Sequence, residues 1–208
     1  LSSPFSHEAV DLLERVGVHS YKIPSGEVSN LSLLKRVAAM GKPVYLSSGM
    51  SDWSELDAAV EILKKGGPLT VLQCSSEYPC RSENVGLNVL NEMKGRYGVP
   101  VGFSDHTLGI SACLGAVALG ATVVEKHITF SKMMYGSDAK HAMEPNEFKL
   151  LCSSLRELKI MLENPVDKSN CEPYRDMKRI FEKSVVMRCG LKAGSVIGEL
   201  DISFKKPG

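Results

Sequence analysis

The feature that most constrains this chain is an alternation. Short β-branched runs take turns with amphipathic stretches of helical period. "HSYKIPSGE", "KPVYLSSGM", "LTVLQCSSEYP", "VPVGFSDHT" and "TVVEKHIT" read as strands running into polar loops. Between them lie "NLSLLKRVAAMG", "SDWSELDAAVEILKKGG", "NVLNEMKGRYG" and "ISACLGAVALGA", and after them "EPNEFKLLCSSLRELKIMLE". In the first helix Leu33, Leu34, Val37 and Ala38 share a face; in the last Phe148, Leu151, Leu155 and Leu158 do. Ser51 is placed to cap the second helix, whose first turn is acidic and whose end carries lysines and Gly66. A repeating strand–helix unit predicts a parallel sheet. Its strands are apolar on consecutive positions, as in sheets covered on both faces. "LSSP" at the start reads as the tail of a sixth strand.

An open doubly wound sheet and a closed barrel both satisfy that pattern. The strand endings favour the barrel. Each run stops on polar residues: Lys22 to Glu27, Ser47-Ser48, Ser75-Ser76-Glu77, Ser104-Asp105-His106, and Lys126-His127. In a (β/α)8 barrel such ends converge on one site, whereas an open sheet spreads them along an edge. From residue 163 to 183 the pattern gives way to a polar, proline-containing stretch, read as a linker. Residues 184–208 show short β-like runs with glycine turns. The expected organisation is therefore a partial barrel over 1–162, the linker, and the start of a small β-rich domain.

Bulk properties exclude several classes. Twenty-five basic against 24 acidic residues leave a net charge of +1, without the basic excess of a nucleic-acid binder. No apolar run reaches the roughly 18 residues of a membrane span. The six cysteines are scattered without a C-x-x-C pair, which fits reduced thiols in the cytoplasm rather than a disulfide framework. There is no glycine-rich nucleotide loop and no G-x-S-x-G nucleophile elbow.

His106 and His127 end neighbouring strands. Two neutral imidazoles there either share one divalent metal or each hydrogen-bond at the rim. Lys22, Ser25, Ser47 and Ser104 supply one cation and several small donors, an inventory suited to a phosphate or carboxylate. Glu27 and Asp138 are acids that suit sugar hydroxyls, although each taken singly reads first as a solvated loop acid.

"YKIPSGE", "KPVYLSSGM", "CSSEYP", "GFSDHTLG", "GAVALGATVVEKHIT" and "GSD…MEPNEF" together resemble, in order, the sialic acid synthases and their bacterial nonulosonic acid relatives. The tail "SVVMRCGLKAGSVIGELDISFKKPG" resembles the first part of the antifreeze-like (SAF) domain that follows the barrel in that family. The resemblance implies a (β/α)8 barrel lacking its first strands here. It implies a condensation of phosphoenolpyruvate with N-acetylmannosamine or a related N-acylated amino sugar, releasing phosphate. Under it, His106 and His127 hold Mn²⁺ or Mg²⁺, and Lys22, Ser25, Ser47, Ser76 and Ser104 hold phosphoenolpyruvate. Glu27, Tyr78 and Asp138 face the amino sugar. Lys206 stands where the family usually has an arginine, keeping the charge without the planar fork. A cytoplasmic homodimer is implied as well. The family's first two strands carry a glutamate and a lysine of the site, so this chain taken alone is expected to be inactive and prone to associate. Two other readings remain: a non-catalytic sugar-phosphate-binding barrel, or another phosphoenolpyruvate-condensing or aldolase barrel; a Schiff-base aldolase would use Lys22 or Lys126 as its strand lysine.

Overall fold

A computed structural model describes residues 1–206 and divides the chain into two compact units, Leu1–Glu163 and Asn164–Gly208. The first unit holds five parallel strands: β1 (Tyr21–Ile23), β2 (Val44–Ser47), β3 (Leu69–Cys74), β4 (Val101–Asp105) and β5 (Val123–Lys126), side by side in chain order. Helices α1 (His7–Val16), α2 (Leu31–Ala38), α3 (Trp53–Lys64), α4 (Val89–Tyr97), α5 (Ser111–Ala118) and α6 (Pro145–Glu163) alternate with them. Before β1, Ser2 pairs in parallel with Tyr21, and the Lys22 N–H donates to the Ser2 carbonyl at 2.9 Å. The expected tail of a further strand is thus one bridging residue among those described.

Sequential parallel order is what short strand–helix–strand connections between spatial neighbours produce. Curvature follows from one contact. On a flat sheet β1 and β5 are separated by four steps of about 4.8 Å, roughly 19 Å. Yet the Lys22 ammonium lies 3.2 Å from the Glu125 carboxylate. Side chains of that length do not bridge a flat sheet with room to meet so closely, so the sheet is curled as part of a barrel. Inside the curl Gly102 is required by space. A Cβ there would stand 2.3 Å from Leu72 Cδ2 and 2.8 Å from the Val123 carbonyl oxygen.

The core lies between sheet and helices, with Ile23, Leu33, Leu34, Leu46, Leu63, Leu90 and Phe103 fully or almost fully buried. Helix α2 presents Leu33, Leu34 and Val37 to it, as the period predicts. Helix α3 is capped by Asp52 rather than Ser51. The Asp52 carboxylate accepts from the Glu55 N–H at 2.9 Å, and Glu55 reaches back to the Asp52 N–H at 3.3 Å. A carboxylate caps the helix and also complements its positive end. No helix among the described residues is long and apolar enough to cross a membrane.

In the second unit, β6 (Ser184–Met187) pairs antiparallel with β7 (Ile202–Lys205). The stretch 163–183, expected as a linker, carries a helix, α7 (Arg175–Phe181). Its apolar positions Met177, Ile180 and Phe181 share a face, but the surrounding charges mask that period in the sequence.

Candidate active site

The C-terminal ends of the strands line one cavity of about 550 Å³. Lys22 comes from β1, Ser25 from the turn after it, Ser47 from β2, Cys74 from β3, Ser76 and Tyr78 from the loop beyond, and Ser104, His106, Glu125 and His127 from β4, β5 and the residues just past them. Strand periodicity explains the selection. Residues two apart share a face, so Ser104 and His106 point together, as do Glu125 and His127. Cys74, Ser104 and Glu125 are direct register partners and form one row across three strands.

The cavity is rich in groups awaiting an acceptor. Ser47 Oγ is buried and makes no hydrogen bond. A buried hydroxyl without a partner is costly, and this one sits among Lys22, Ser25, Ser76 and Ser104. Gly49, next to Met50 whose φ is +64°, keeps the cradle open: a Cβ would lie 2.4 Å from Ser76 Oγ and 2.7 Å from Ser25 Oγ. Two donors are already engaged. Glu125 Oε1 accepts from Ser104 Oγ at 2.7 Å and sits 3.2 Å from Lys22 Nζ.

The two imidazoles face each other with ring centroids 5.3 Å apart. His106 Nδ1 lies 2.8 Å from the Ser75 carbonyl, which only accepts, so Nδ1 donates and the neutral ring's lone pair is on Nε2. Burial disfavours the His106 imidazolium, but the Cys74 thiol, the Ser75 carbonyl and the Asp105 carboxylate outweigh it, and its pKa is raised. Burial dominates at His127, helped by the neighbouring His106, and its pKa is lowered. The Tyr78 ring stacks on His106 at 4.0 Å, and the His127 Nδ1 is 3.8 Å from Asp138 Oδ2. Among the described residues no cluster of three or more His, Cys, Asp or Glu side chains forms a metal cage. A His106 lone pair held on Nε2, with a second imidazole facing it at 5.3 Å between ring centres, nevertheless fits an ion whose other ligands are water or substrate oxygens, as open catalytic sites require.

Two of the expected site residues lie off the cavity wall. Glu27 is in the turn after β1, off the cavity wall, and accepts from Asn30 at 2.8 Å. Asp138 is also off the wall and reaches the site through His127. Lys206 belongs to the second unit, its ammonium 5.6 Å from the Phe181 ring centre. Sequence reading gave no role to Glu125 or Cys74, although Glu125's place two residues before His127 put it on the same face. Lys126 and Asp105 are register partners on the opposite face. The Lys126 ammonium is 2.6 Å from Asp105 Oδ2 and also donates to the Thr107 and Gly109 carbonyls. A Schiff-base lysine needs a free amine, and both candidate lysines are ion-paired.

The NeuB family model matches residues 1–167. The chain belongs to the NeuB family. Over its whole length it is 39% identical to the N,N'-diacetyllegionaminic acid synthase of Campylobacter jejuni, covering 63% of that protein. It is 34% identical to the human N-acetylneuraminate-9-phosphate synthase over 94% of this chain and 55% of that one. The crystal structure of the N-acetylneuraminic acid synthetase of Leptospira borgpetersenii superposes with a TM-score of 0.77 at 32% identity, over 86% of this chain and 64% of that one. The chain thus spans about three-fifths of the length of the curated NeuB relatives it matches.

Proposed function

We propose that the protein condenses phosphoenolpyruvate with an N-acylated amino sugar, N-acetylmannosamine or a relative, to form a nonulosonic acid and release phosphate. The observation that carries this reading is the unpartnered, buried Ser47 hydroxyl in a cradle of Lys22, Ser25, Ser76 and Ser104, facing two imidazoles across one cavity. Hydroxyls and an ammonium at strand ends suit the phosphate and carboxylate of phosphoenolpyruvate. They fix its C3 toward the mouth, where a sugar aldehyde would be presented. A new bond forms from C3 to the aldehyde carbon, water adds at C2, and the C2–O bond to phosphate breaks.

His106 and His127 would hold Mn²⁺ or Mg²⁺, which when bound supplies Lewis acidity at the aldehyde oxygen. The Ser75 carbonyl keeps the His106 lone pair on the ring nitrogen available for that role. Tyr78 would wall the amino-sugar side, with Glu27 and Asp138 meeting hydroxyls at the rim. Lys206 would serve the amino sugar of a neighbouring subunit in a cytoplasmic homodimer, from a segment, residues 184–208, that begins a SAF domain.

The test is a phosphate-release assay on the full-length protein with phosphoenolpyruvate, Mn²⁺ and a panel of N-acylated hexosamines, with mass spectrometry of the product. Release that depends on the sugar and yields a nine-carbon acid is the expected result. Binding of both substrates without turnover would favour a non-catalytic sugar-phosphate-binding barrel instead.

A further inference from the structure

The roles just proposed leave one carboxylate of the cavity without a part. Glu125 Oε1 accepts a hydrogen bond from the Ser104 hydroxyl at 2.7 Å and faces the Lys22 ammonium at 3.2 Å. Those are two of the groups assigned to phosphoenolpyruvate. A single carboxylate oxygen therefore stands where an anion's oxygen would stand, between a cation and a hydroxyl. A hydroxyl has one proton to donate, so Glu125 and an arriving anion compete for Ser104. They compete for Lys22 as well, and two like charges in one cradle repel. Nearby, Ser47 Oγ has no acceptor at all. Two of the cavity's donors are thus already taken by its own side chain. The backbone of Glu125 is fixed by its register with Ser104, but its side chain is 38% exposed against 11% for Lys22. Room to swing lies on the solvent side.

We propose that Glu125 is an internal competitor for the anion site: it holds Lys22 and Ser104 in place in the empty cavity and is displaced from them when the anion binds. This rests on the reading of the cavity as the phosphoenolpyruvate site. Such a placeholder keeps the donors aligned between turnovers. It also weakens the hold on small anions, which favours departure of the phosphate that the reaction releases.

The experiment is calorimetric titration of the full-length protein with inorganic phosphate and, separately, with phosphoenolpyruvate. Wild type, Glu125→Gln, Glu125→Ala and Lys22→Met are compared at constant ionic strength, with thermal melts as a check of folding. Removing a competitor strengthens binding, whereas damage to a merely structural residue weakens it. Both Glu125 variants should bind phosphate about tenfold or more tightly than wild type. If the alanine variant fails to fold, the glutamine variant, which keeps the shape of the side chain, decides the matter. Unchanged or weaker binding of both anions in a folded Glu125 variant, with wild type binding phosphoenolpyruvate and Lys22→Met losing it, overturns the competitor and leaves the site reading standing. Absence of phosphoenolpyruvate binding in wild type and in the Glu125 variants alike overturns both.

Discussion

Two lysine–carboxylate pairs meet at the end of β5, and they are built on opposite faces of it. Lys126 and Asp105 turn toward α5, with side chains 2% and 0% exposed, and the carboxylate also takes the Cys113 thiol at 3.1 Å and the Thr107 N–H at 2.9 Å. Lys22 and Glu125 turn into the cavity, with exposures of 11% and 38%. The chemistry of the two pairs is the same. Burial and the number of additional partners separate them. A sealed pair with every proton assigned is part of the framework, because removing either member strands a charge. A pair whose carboxylate stays partly open to water at a cavity mouth strands less charge when it is broken and can be exchanged for a ligand. The same seal acts on Cys113, whose thiol pKa is pushed well up by burial and by Asp105.

The largest effect that could break this contrast is on stability. Lys126→Met leaves Asp105 buried and unpaired, and should lower the unfolding free energy by about 3–5 kcal/mol. Urea denaturation followed by circular dichroism reads it as a lower midpoint at unchanged slope. A loss comparable to that of a surface substitution would remove the distinction between the pairs.

Next in size is the cradle. Gly49→Ala places a methyl group against Ser25 and Ser76, whose hydroxyls must turn aside. Misplacement on that scale should lower kcat/KM for phosphoenolpyruvate on the order of a hundredfold, while the melting temperature changes little. Equal loss of both would mean that Gly49 serves the fold rather than the site.

A smaller effect separates the two imidazoles. In metal-free protein His106 should titrate above the ordinary histidine value and His127 below it. As pH falls, His106 is therefore protonated first. The His106 shift adds stability that is present below the unfolded-state pKa and fades as pH rises through its raised folded value. The His127 shift acts the other way, present above the unfolded-state pKa and lost as pH falls through its depressed folded value. Ring-proton NMR titration resolves the order, and a reversed or coincident pair would refute the assigned environments. The smallest expected change is the unfolding free energy of Lys22→Met, well below that of Lys126→Met because the Glu125 left behind is partly open to water, in a variant that nonetheless loses the anion. A large destabilisation there would make Lys22 a second framework lysine.

Much of the site was legible because strand ends announce themselves. Apolar runs stopping at Lys22, Ser47, Ser104 and His127 are local signals, and parallel order puts them all at one end of the sheet. What escaped reading depends on distance across the sheet. That Glu125 meets Lys22 requires the curl, which no local pattern encodes. That Lys126 faces away from the cavity follows from strand periodicity, but only once the strand's phase is known. Ser51 and Asp52 compete as caps on adjacent positions, and backbone geometry chooses between them. Helix α7 hides because its charges outnumber its three apolar anchors.

The central claim is that the two histidines and the serine cradle are one site for an ion and a phosphorylated acid. The most direct test is a crystal structure of the full-length protein with Mn²⁺ and phosphoenolpyruvate, with anomalous data collected at the manganese edge. One manganese peak bonded to the Nε2 atoms of both His106 and His127, and a ligand oxygen within hydrogen-bond reach of Ser47 Oγ, are the expected result. Manganese bound away from that histidine pair, or phosphoenolpyruvate seated outside the cradle with Ser47 still unpartnered, would contradict it.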